Sequence, residues 1–278
     1  MTEHPVDPRD YLLGTGDEEL DRLGYQARIW RDSALRALDR AGVKEGSRVL
    51  DLGSGPGFVT EEIRARVGEA GSVVALDPSP RWHKVLRQRF DGAPNVTLVE
   101  SSVEDADLAE GSFDAVFSRW VFSFLPDLEG VAAKVLRALR PGGALVVQDY
   151  NHEGIGVFPP SPGFEAVVRA TRDYYARGGG DAWVVGSLPA ILSRAGFEGV
   201  ECLPEVRCGG PDSDVFGWAD AFFPRFSSTY VDEGLMTAEE RDRFLEEWSA
   251  RRADPGTLFF SPIVADVVGR RPAYRGAV

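Results

Sequence analysis

Cysteine and histidine are scarce in this chain of 278 residues, which has two cysteines and three histidines. Cys202 and Cys208 lie six positions apart, and no CxxC pair or clustered Cys/His pattern accompanies them. Disulfide frameworks and zinc sites both depend on such spacings, so the sequence predicts neither, and we expect no metal site.

Long apolar runs and an excess of positive charge are also missing. No stretch approaches the roughly 20 apolar residues that cross a bilayer, and the opening MTEHPVDPRD does not follow the basic-then-apolar order of a signal peptide. The 31 basic and 44 acidic side chains give a formal charge of −13, which disfavours a broad contact with nucleic acid or an anionic membrane. We therefore expect a cytoplasmic protein without DNA or membrane partners.

The sequence does contain a regular alternation of β-rich and amphipathic segments between about residues 48 and 149. Short apolar runs predict strands at 49–52, 73–77, 96–100, 115–118 and 145–149. The intervening segments place apolar residues on one helical face, as Val59, Ile63 and Val67 do. This alternation is typical of parallel strands joined by crossover helices.

The flanking segments predict further elements. Residues 17–40 read as one helix ahead of the first strand, and the segments after the alternating region predict helices at 164–177 and 187–195 and strands at 199–206 and 263–268. A capping box, Thr237 with Glu240, opens another helix in an aromatic-rich stretch.

These elements predict an α/β fold: a Rossmann-like seven-stranded, mostly parallel sheet with helices on both faces and a helical cap inserted between the last two strands. We assign residues 1–45 to a helical lead-in and residues 207–258 to the aromatic-rich cap. Residues 46–206 and 259–278 form the expected cofactor-binding core, with an insertion at 151–185.

A glycine-rich turn, VLDLGSGPGF at 49–58, follows the first predicted strand. Its glycines allow positive φ angles and close approach of a ligand to N–H groups at a helix N-terminus. Nicotinamide dinucleotides and S-adenosylmethionine are both bound by such turns, and Asp77 could accept ribose hydrogen bonds from either. The dinucleotide pattern G-x-G-x-x-G/A needs a small sixth residue, where this chain has Phe58. Asp51, just before the turn, could complement a ligand ammonium.

Five segments together resemble a class I S-adenosylmethionine-dependent methyltransferase over about residues 45–150. They are residues 49–58, LDPS at 76–79, SSVEDADL at 101–108, FDAVFSRWVFSFLPD at 113–127 and LRPGGALVV at 139–147. The resemblance implies S-adenosylmethionine as cofactor and S-adenosylhomocysteine as product. The candidate cofactor-binding residues are Tyr11, Gln26, Asp51, Gly53, Ser54, Gly55, Gly57, Asp77, Pro78, Ser102, Val103, Glu104, Arg119 and Trp120.

The resemblance also implies a role for each group of residues. The glycines would line the methionine and ribose portion, Asp77 would bind the ribose hydroxyls, and residues 102–104 would surround the adenine edge. Arg119 with Trp120 would lie beside the cofactor. Tyr11 and Gln26 are candidates for closing over the methionine carboxylate.

Methyl transfer from a sulfonium is an in-line displacement, so alignment is the main task and can supply up to roughly 7–11 kcal/mol. A catalytic base is optional. Residues 149–152, DYNH, follow the fifth predicted strand and should face an acceptor. His152, with an ordinary pKa near 6.5, is a candidate general base, and Tyr150 a candidate orienting group. His83 is expected on the surface.

The acceptor should be a small organic molecule. Aromatic residues concentrate after the sheet, and those not needed for the cap's core could wall an apolar or aromatic, natural-product-like substrate pocket. Residues 118–121, SRWV, lack the (Asn/Asp)-Pro-Pro-(aromatic) motif of nucleobase amine methyltransferases. We expect a monomer or homodimer that methylates O, N or C. The alternatives are an NAD(P)-dependent oxidoreductase and a non-catalytic S-adenosylmethionine-binding protein.

Overall fold

The computed structural model describes residues 15–273. Its helices are α1 Asp17–Ile29, α2 Arg31–Ala41, α3 Phe58–Val67, α4 Pro80–Arg89, α5 Leu128–Ala138, α6 Pro162–Arg177, α7 Leu188–Ala195, α8 Asp214–Asp232 and α9 Ala238–Ala253. Its strands are β1 Arg48–Leu52, β2 Ser72–Asp77, β3 Val96–Glu100, β4 Phe113–Arg119, β5 Leu139–Asn151, β6 Gly156–Phe158, β7 Glu198–Glu205, β8 Cys208–Gly209, β9 Leu258–Phe260 and β10 Ile263–Arg270.

Seven of these strands form one sheet in the order β3-β2-β1-β4-β5-β10-β7. The pairs from β3 through β5 are parallel, which confirms the predicted α/β fold. Between β1 and β4 the strand order reverses direction along the chain. In such sheets ligands bind in the crevice at the carboxyl ends of the strands beside this point.

Each face of the sheet carries its own apolar layer, because alternate strand residues point to opposite sides. Leu50 and Val116 pack with α5 and α7 on one face. Val49 and Phe117 pack with α2 and α3 on the other. Helices therefore cover both faces, as predicted.

Two sequence predictions differ from the structure. Residues 17–40 were expected to form one helix, but α1 ends at Ile29 and α2 begins at Arg31, with Trp30 between them at φ −98° and ψ 15°. The strand predicted at 145–149 begins at Leu139 instead, and its pairing with β4 has a register shift that accommodates the extra residues.

The chain divides into two compact units. The larger unit comprises, of the described residues, 15–149, 184–203 and 265–273; the smaller unit comprises 150–183 and 204–264. The smaller unit thus includes residues that we assigned to an insertion of the core as well as the predicted cap at 207–258. It holds α6, α8 and α9 and an antiparallel sheet in the order β6-β9-β8, and the capping box of Thr237 and Glu240 opens α9.

Within residues 15–273, no helix is long and apolar enough to span a membrane. The same residues contain no group of three or more His, Cys, Asp or Glu side chains that could hold a metal ion. Both cysteines are exposed and free.

Candidate functional site

The glycine turn joins β1 to α3 in the larger unit, and its glycines serve different purposes. Gly53, Gly55 and Gly57 have φ angles of 72°, 53° and 84°. A Cβ on Gly53 would lie 2.2 Å from Val121 Cγ2, and one on Gly57 would lie 2.7 Å from Leu86 Cδ2. A Cβ on Gly55 would meet nothing within 4 Å. Gly53 and Gly57 are therefore required by packing, whereas Gly55 borders open space.

Asp77 ends β2 beside this open space. Its Oδ2 accepts a hydrogen bond from the Gly55 N–H at 2.8 Å, and its Oδ1 accepts one from the Ser79 N–H at 2.9 Å. Burial raises the pKa of this carboxyl, and the two backbone hydrogen bonds and the charge of His83 oppose that change. A carboxylate has about four acceptor positions, so Asp77 can accept two more hydrogen bonds from a ligand.

Asp51 supplies a second buried carboxyl just before the turn. The Thr60 hydroxyl donates to its Oδ2 at 2.6 Å. Burial raises the pKa of Asp51 to about 6, although the Thr60 hydrogen bond and the charge of Arg119 act in the opposite direction; Asp77 raises it further. A ligand cation beside Asp51 would stabilise its charged form.

Arg119 and Trp120 lie at the carboxyl end of β4. The Arg119 guanidinium lies 4.6 Å from the Trp120 ring centroid, and the Trp30 ring meets Trp120 edge-on at 6.2 Å. Trp120 has φ 56°, a positive angle found at no other non-glycine residue between 15 and 273, and its N–H donates to the Gln148 carbonyl. Backbone strain of this kind concentrates at functional sites, and Val121 packs directly on the turn.

Gln26, predicted to contact the cofactor, is buried on α1 and accepts a hydrogen bond from Arg22 Nη1 at 3.0 Å. Arg22 also forms a two-point ion pair with Glu19, at 2.9 and 2.7 Å. Gly24 faces the ring of Phe58, which a Cβ would approach to 3.2 Å. Helix α1 therefore packs beside the start of α3, next to the turn. Tyr11 lies outside the described residues.

Residues 102–104, predicted at the adenine edge, have mixed environments. The Ser102 hydroxyl accepts the Asp105 N–H at 3.1 Å, a local turn contact. Val103 is buried in the apolar layer, and Glu104 is exposed. The segment begins next to Asp77, whose carbonyl accepts the Ser101 N–H. Pro78 lies between Asp77 and the Ser79 that caps α4.

The Ser54 side chain gives a further indication that a ligand belongs at the turn. Its Oγ is buried and has no hydrogen-bond partner among the described residues. Buried polar atoms are normally hydrogen-bonded, so such an atom needs an explanation. A ligand seated against Gly55 would supply polar groups for Ser54 and Asp77. The residues present therefore fit an adenosyl cofactor with ribose hydroxyls and an ammonium group.

The predicted surface position of His83 is wrong. The side chain is 2% exposed, and its Nε2 lies 3.0 Å from the carbonyl oxygens of Asp77 and Val99. It packs α4 against the ends of β2 and β3, and so supports the backbone of Asp77. Basic neighbours in sequence indicated solvent, but they occupy the other side of the helix.

Tyr150 and His152 belong to the smaller unit. The His152 ring lies 5.5 Å from Tyr150 and 5.9 Å from Tyr175, centroid to centroid, and Trp218 stacks on Tyr150. Burial, with the charge of Arg172, lowers the pKa of His152 to about 3. The ordinary pKa near 6.5, on which the general-base prediction depended, is not retained. His152 is neutral at physiological pH and is a weak base.

Sequence reasoning missed Thr60 and the buried pair of Glu19 and Arg22. No local signal identifies them, since Thr60 is one of many small polar residues in helices and the pair resembles an ordinary helical i,i+3 contact.

The segment that contains the glycine turn is similar to a known protein family. Residues 50–147 match the family model described as a methyltransferase domain. This match confirms the family resemblance and favours it over an NAD(P)-dependent oxidoreductase.

The relatives and solved structures agree with this match. An uncharacterized transposon protein of Streptomyces fradiae is 29% identical over 240 residues, covering 83% of this chain and 66% of that protein. A ubiquinone/menaquinone biosynthesis C-methyltransferase of Erwinia tasmaniensis is 31% identical over 127 residues, covering 45% of this chain and 49% of that protein. The chain thus spans between about half and two thirds of these relatives' lengths.

A solved structure shows the same fold. Phosphoethanolamine N-methyltransferase 2 of Haemonchus contortus, in complex with S-adenosyl-L-methionine, superposes with a TM-score of 0.60 at 20% identity, covering 96% of this chain and 60% of that one. At this identity the likeness concerns the fold, which agrees with the predicted Rossmann-like sheet.

Proposed function

Because residues 50–147 match the methyltransferase domain model, we propose that this chain transfers the methyl group of S-adenosylmethionine to a small organic acceptor. The observation that carries the proposal is the open space at Gly55, whose N–H donates to the Asp77 carboxyl. The neighbouring residue, Ser54, has a buried hydroxyl without a partner among the described residues. When bound, S-adenosylmethionine supplies an electrophilic methyl group on a sulfonium that leaves as a neutral thioether.

The residues around the turn have separate tasks in this proposal. Asp77 accepts the ribose hydroxyl hydrogen bonds, and Asp51 complements the ammonium group. Main-chain N–H groups at the start of α3 hold the ligand against Gly55. Arg119 and Trp120 flank the site from the end of β4. Together they hold the cofactor in a fixed orientation, which is the principal contribution that an alignment-controlled reaction requires.

The acceptor contacts are assigned to the smaller unit, where Tyr150 and His152 remain the candidates. A neutral imidazole with a pKa near 3 orients an acceptor by hydrogen bonding better than it removes a proton at neutral pH. Relatives of this chain include a ubiquinone/menaquinone biosynthesis C-methyltransferase and an arsenite methyltransferase, which supports a small acceptor. The proposal covers methyl transfer to O, N or C, since the family match and the fold are compatible with each of them.

Two measurements test the proposal. Calorimetric titration should detect S-adenosylhomocysteine binding and no NADH binding. Incubation of the protein with methyl-labelled S-adenosylmethionine and a panel of small acceptors should transfer label to at least one of them. Binding of NADH instead of S-adenosylhomocysteine would refute the proposal, and cofactor binding without transfer to any acceptor would support the non-catalytic alternative.

Asp51 makes the affinity for S-adenosylhomocysteine dependent on pH. Its pKa of about 6 in the free protein means that it is mostly protonated at pH 5. A bound ammonium lowers this pKa, so the ligand binds more tightly as pH rises to about 6, and affinity is constant above about pH 7. We expect binding about tenfold weaker at pH 5 than at pH 7.5, since one pH unit below the pKa corresponds to about 1.4 kcal/mol.

The Asp51→Asn variant provides the control because its amide cannot ionise. Its affinity should be nearly the same at pH 5 and pH 7.5 and should match that of the wild-type protein at pH 5. An unchanged pH dependence in this variant would assign the effect to another group.

A further inference from the structure

Arg172, on α6 of the smaller unit, is a partly buried cation without a carboxylate partner. Its Nη2 donates to the carbonyl of His152, and its guanidinium lies 5.1 Å from the ring centroid of Trp183. Among residues 15–273, no Asp or Glu forms an ion pair with it. Its Nε is buried and makes no hydrogen bond to a described residue.

Arg169, one turn earlier on the same helix, has the opposite character. It is exposed and forms an ion pair with Glu240 at 2.7 Å. In a chain with a formal charge of −13, carboxylate partners are plentiful. The Glu153 carboxylate accepts a hydrogen bond from Trp183 Nε1 at 2.9 Å and forms no ion pair with Arg172. A partly buried arginine without an ion-pair partner is costly unless an anion completes the site.

A second buried polar atom without a hydrogen-bond partner belongs to His152, which contacts Arg172. The side chain is 6% exposed, and its Nδ1 is buried and without a partner in the described part of the chain. Its backbone is held on both sides, because its N–H donates to the Ala182 carbonyl and its carbonyl accepts from Arg172. The imidazole is neutral, so it has one N–H to offer. Two donors with one positive charge between them match a monoanion with two oxygens.

The side chains around Arg172 and His152 are mostly aromatic. Tyr150 and Tyr175 flank the imidazole, and Trp218 stacks on Tyr150 with the ring planes 23° apart. Trp183 is 38% exposed, so the guanidinium lies against a ring that reaches the surface. Aromatic side chains of this kind bind planar apolar ligands.

The smaller unit has a second group of packed aromatic rings besides this cluster. A separate aromatic core is built from stacked and edge-on rings, with Phe216 and Trp248 4.7 Å apart. Its members are Phe164, Phe216, Phe223, Phe244, Trp248 and Phe259. The one polar atom in that core, Trp248 Nε1, donates to Asp220 at 2.8 Å. In the cluster around His152, by contrast, Arg172 Nε and His152 Nδ1 are buried and make no hydrogen bond to a described residue.

We propose that Arg172 and His152 form an anion subsite that selects an aromatic carboxylate as the methyl acceptor. This inference rests on the proposed function and assigns the substrate class of the same reaction. The carboxylate would accept hydrogen bonds from Arg172 and from the His152 N–H, and the ligand ring would lie against the tyrosines and Trp218. Both residues thereby determine substrate specificity by binding, with no proton transfer from either.

The test uses 2-naphthoate and its uncharged isostere 2-naphthamide as probes. Binding to the 278-residue chain is followed by calorimetry, with S-adenosylhomocysteine titrated into the same preparation. The wild-type protein should bind the naphthoate at least tenfold more tightly than the amide. Arg172→Gln should lower naphthoate affinity about tenfold and leave amide affinity unchanged, and His152→Phe should lower it several-fold while preserving the ring shape.

Arg169→Gln is the matched control, because it removes the same charge from the same helix and should change neither affinity. Equal binding of both probes by the wild-type protein, no binding of either, or an unchanged naphthoate affinity in Arg172→Gln would overturn the inference. If Arg172→Gln does not fold, the wild-type comparison of the two probes decides. S-Adenosylhomocysteine binding without discrimination between probes overturns only the subsite, whereas absence of S-adenosylhomocysteine binding overturns the proposed function.

Discussion

Replacing Asp77 with alanine should weaken S-adenosylhomocysteine binding by at least about tenfold if one ribose hydroxyl binds the carboxylate, and by at least about 150-fold if both do. The carboxylate has two acceptor positions left after the Gly55 and Ser79 N–H groups are satisfied, and charge-assisted hydrogen bonds contribute about 1.5–3 kcal/mol each. Each 1.4 kcal/mol is a factor of ten in affinity. Calorimetry at pH 7.5 measures the change in affinity. The variant should still bind the cofactor, but too weakly for turnover when the cofactor concentration is low.

Two further variants separate a ligand contact from damage to the turn. Asp77→Asn keeps an acceptor for one backbone N–H and should lose less stability than Asp77→Ala while still losing affinity. Asp114→Ala removes a carboxylate from the start of β4, where it contacts Arg48 and Arg140, and should leave affinity unchanged. An Asp77→Ala protein that binds as tightly as the wild type would show that the ribose assignment is wrong.

Local patterns were sufficient for much of the fold. The strands at the centre of the sheet were predicted within a few residues, because short apolar runs bounded by turns are specified by their own residues. The capping box predicted at Thr237 and Glu240 is present at the start of α9, and Gly196 ends α7 in the left-handed conformation. In each case the determining contacts are within a few positions of one another.

Errors arose where distant contacts decide the local structure. The break between α1 and α2 occurs at Trp30, which is completely buried, and no glycine or proline marks it. The early start of β5 includes Pro141, Gly142 and Gly143, a composition typical of turns, yet the Arg271 carbonyl accepts the Gly142 N–H and the Gly143 carbonyl accepts the Arg271 N–H. Pairing with residues more than a hundred positions away overrides local preference.

The same distinction applies to the candidate site. The turn and Asp77 could be predicted because they follow strands in a recurring order. The pKa of His152 could not, because its burial results from the folded chain and the charge of Arg172 comes from a helix twenty residues later. Thr60 and His83 reach Asp51 and Asp77 by contacts that only the folded chain reveals.

Alanine substitutions at Gly53 and Gly55 should have different main effects, although the two glycines are only two residues apart. The change at Gly53 should mainly lower stability, and the change at Gly55 should mainly weaken cofactor binding. Both have positive φ, and left-handed backbone costs alanine about 1–2 kcal/mol. At Gly53 the new methyl would also lie 2.2 Å from Val121 Cγ2, and such overpacking adds about 1–3 kcal/mol. Gly53→Ala should therefore lose about 2–5 kcal/mol in the free energy of unfolding, and Gly55→Ala no more than about 2 kcal/mol, as measured by urea denaturation.

Gly55→Ala, the more stable of the two variants, should show a large loss of affinity for the cofactor. At Gly55 the methyl would occupy the space that the turn leaves open, so S-adenosylhomocysteine should bind at least tenfold more weakly to a protein that is still folded. Both substitutions restrict the unfolded chain equally, so the difference in their stability isolates the contact with Val121. If Gly55→Ala bound S-adenosylhomocysteine with wild-type affinity, the open space at Gly55 would not be the cofactor position. The ligand would then have to be held by Asp77 and Asp51 from another side of the turn.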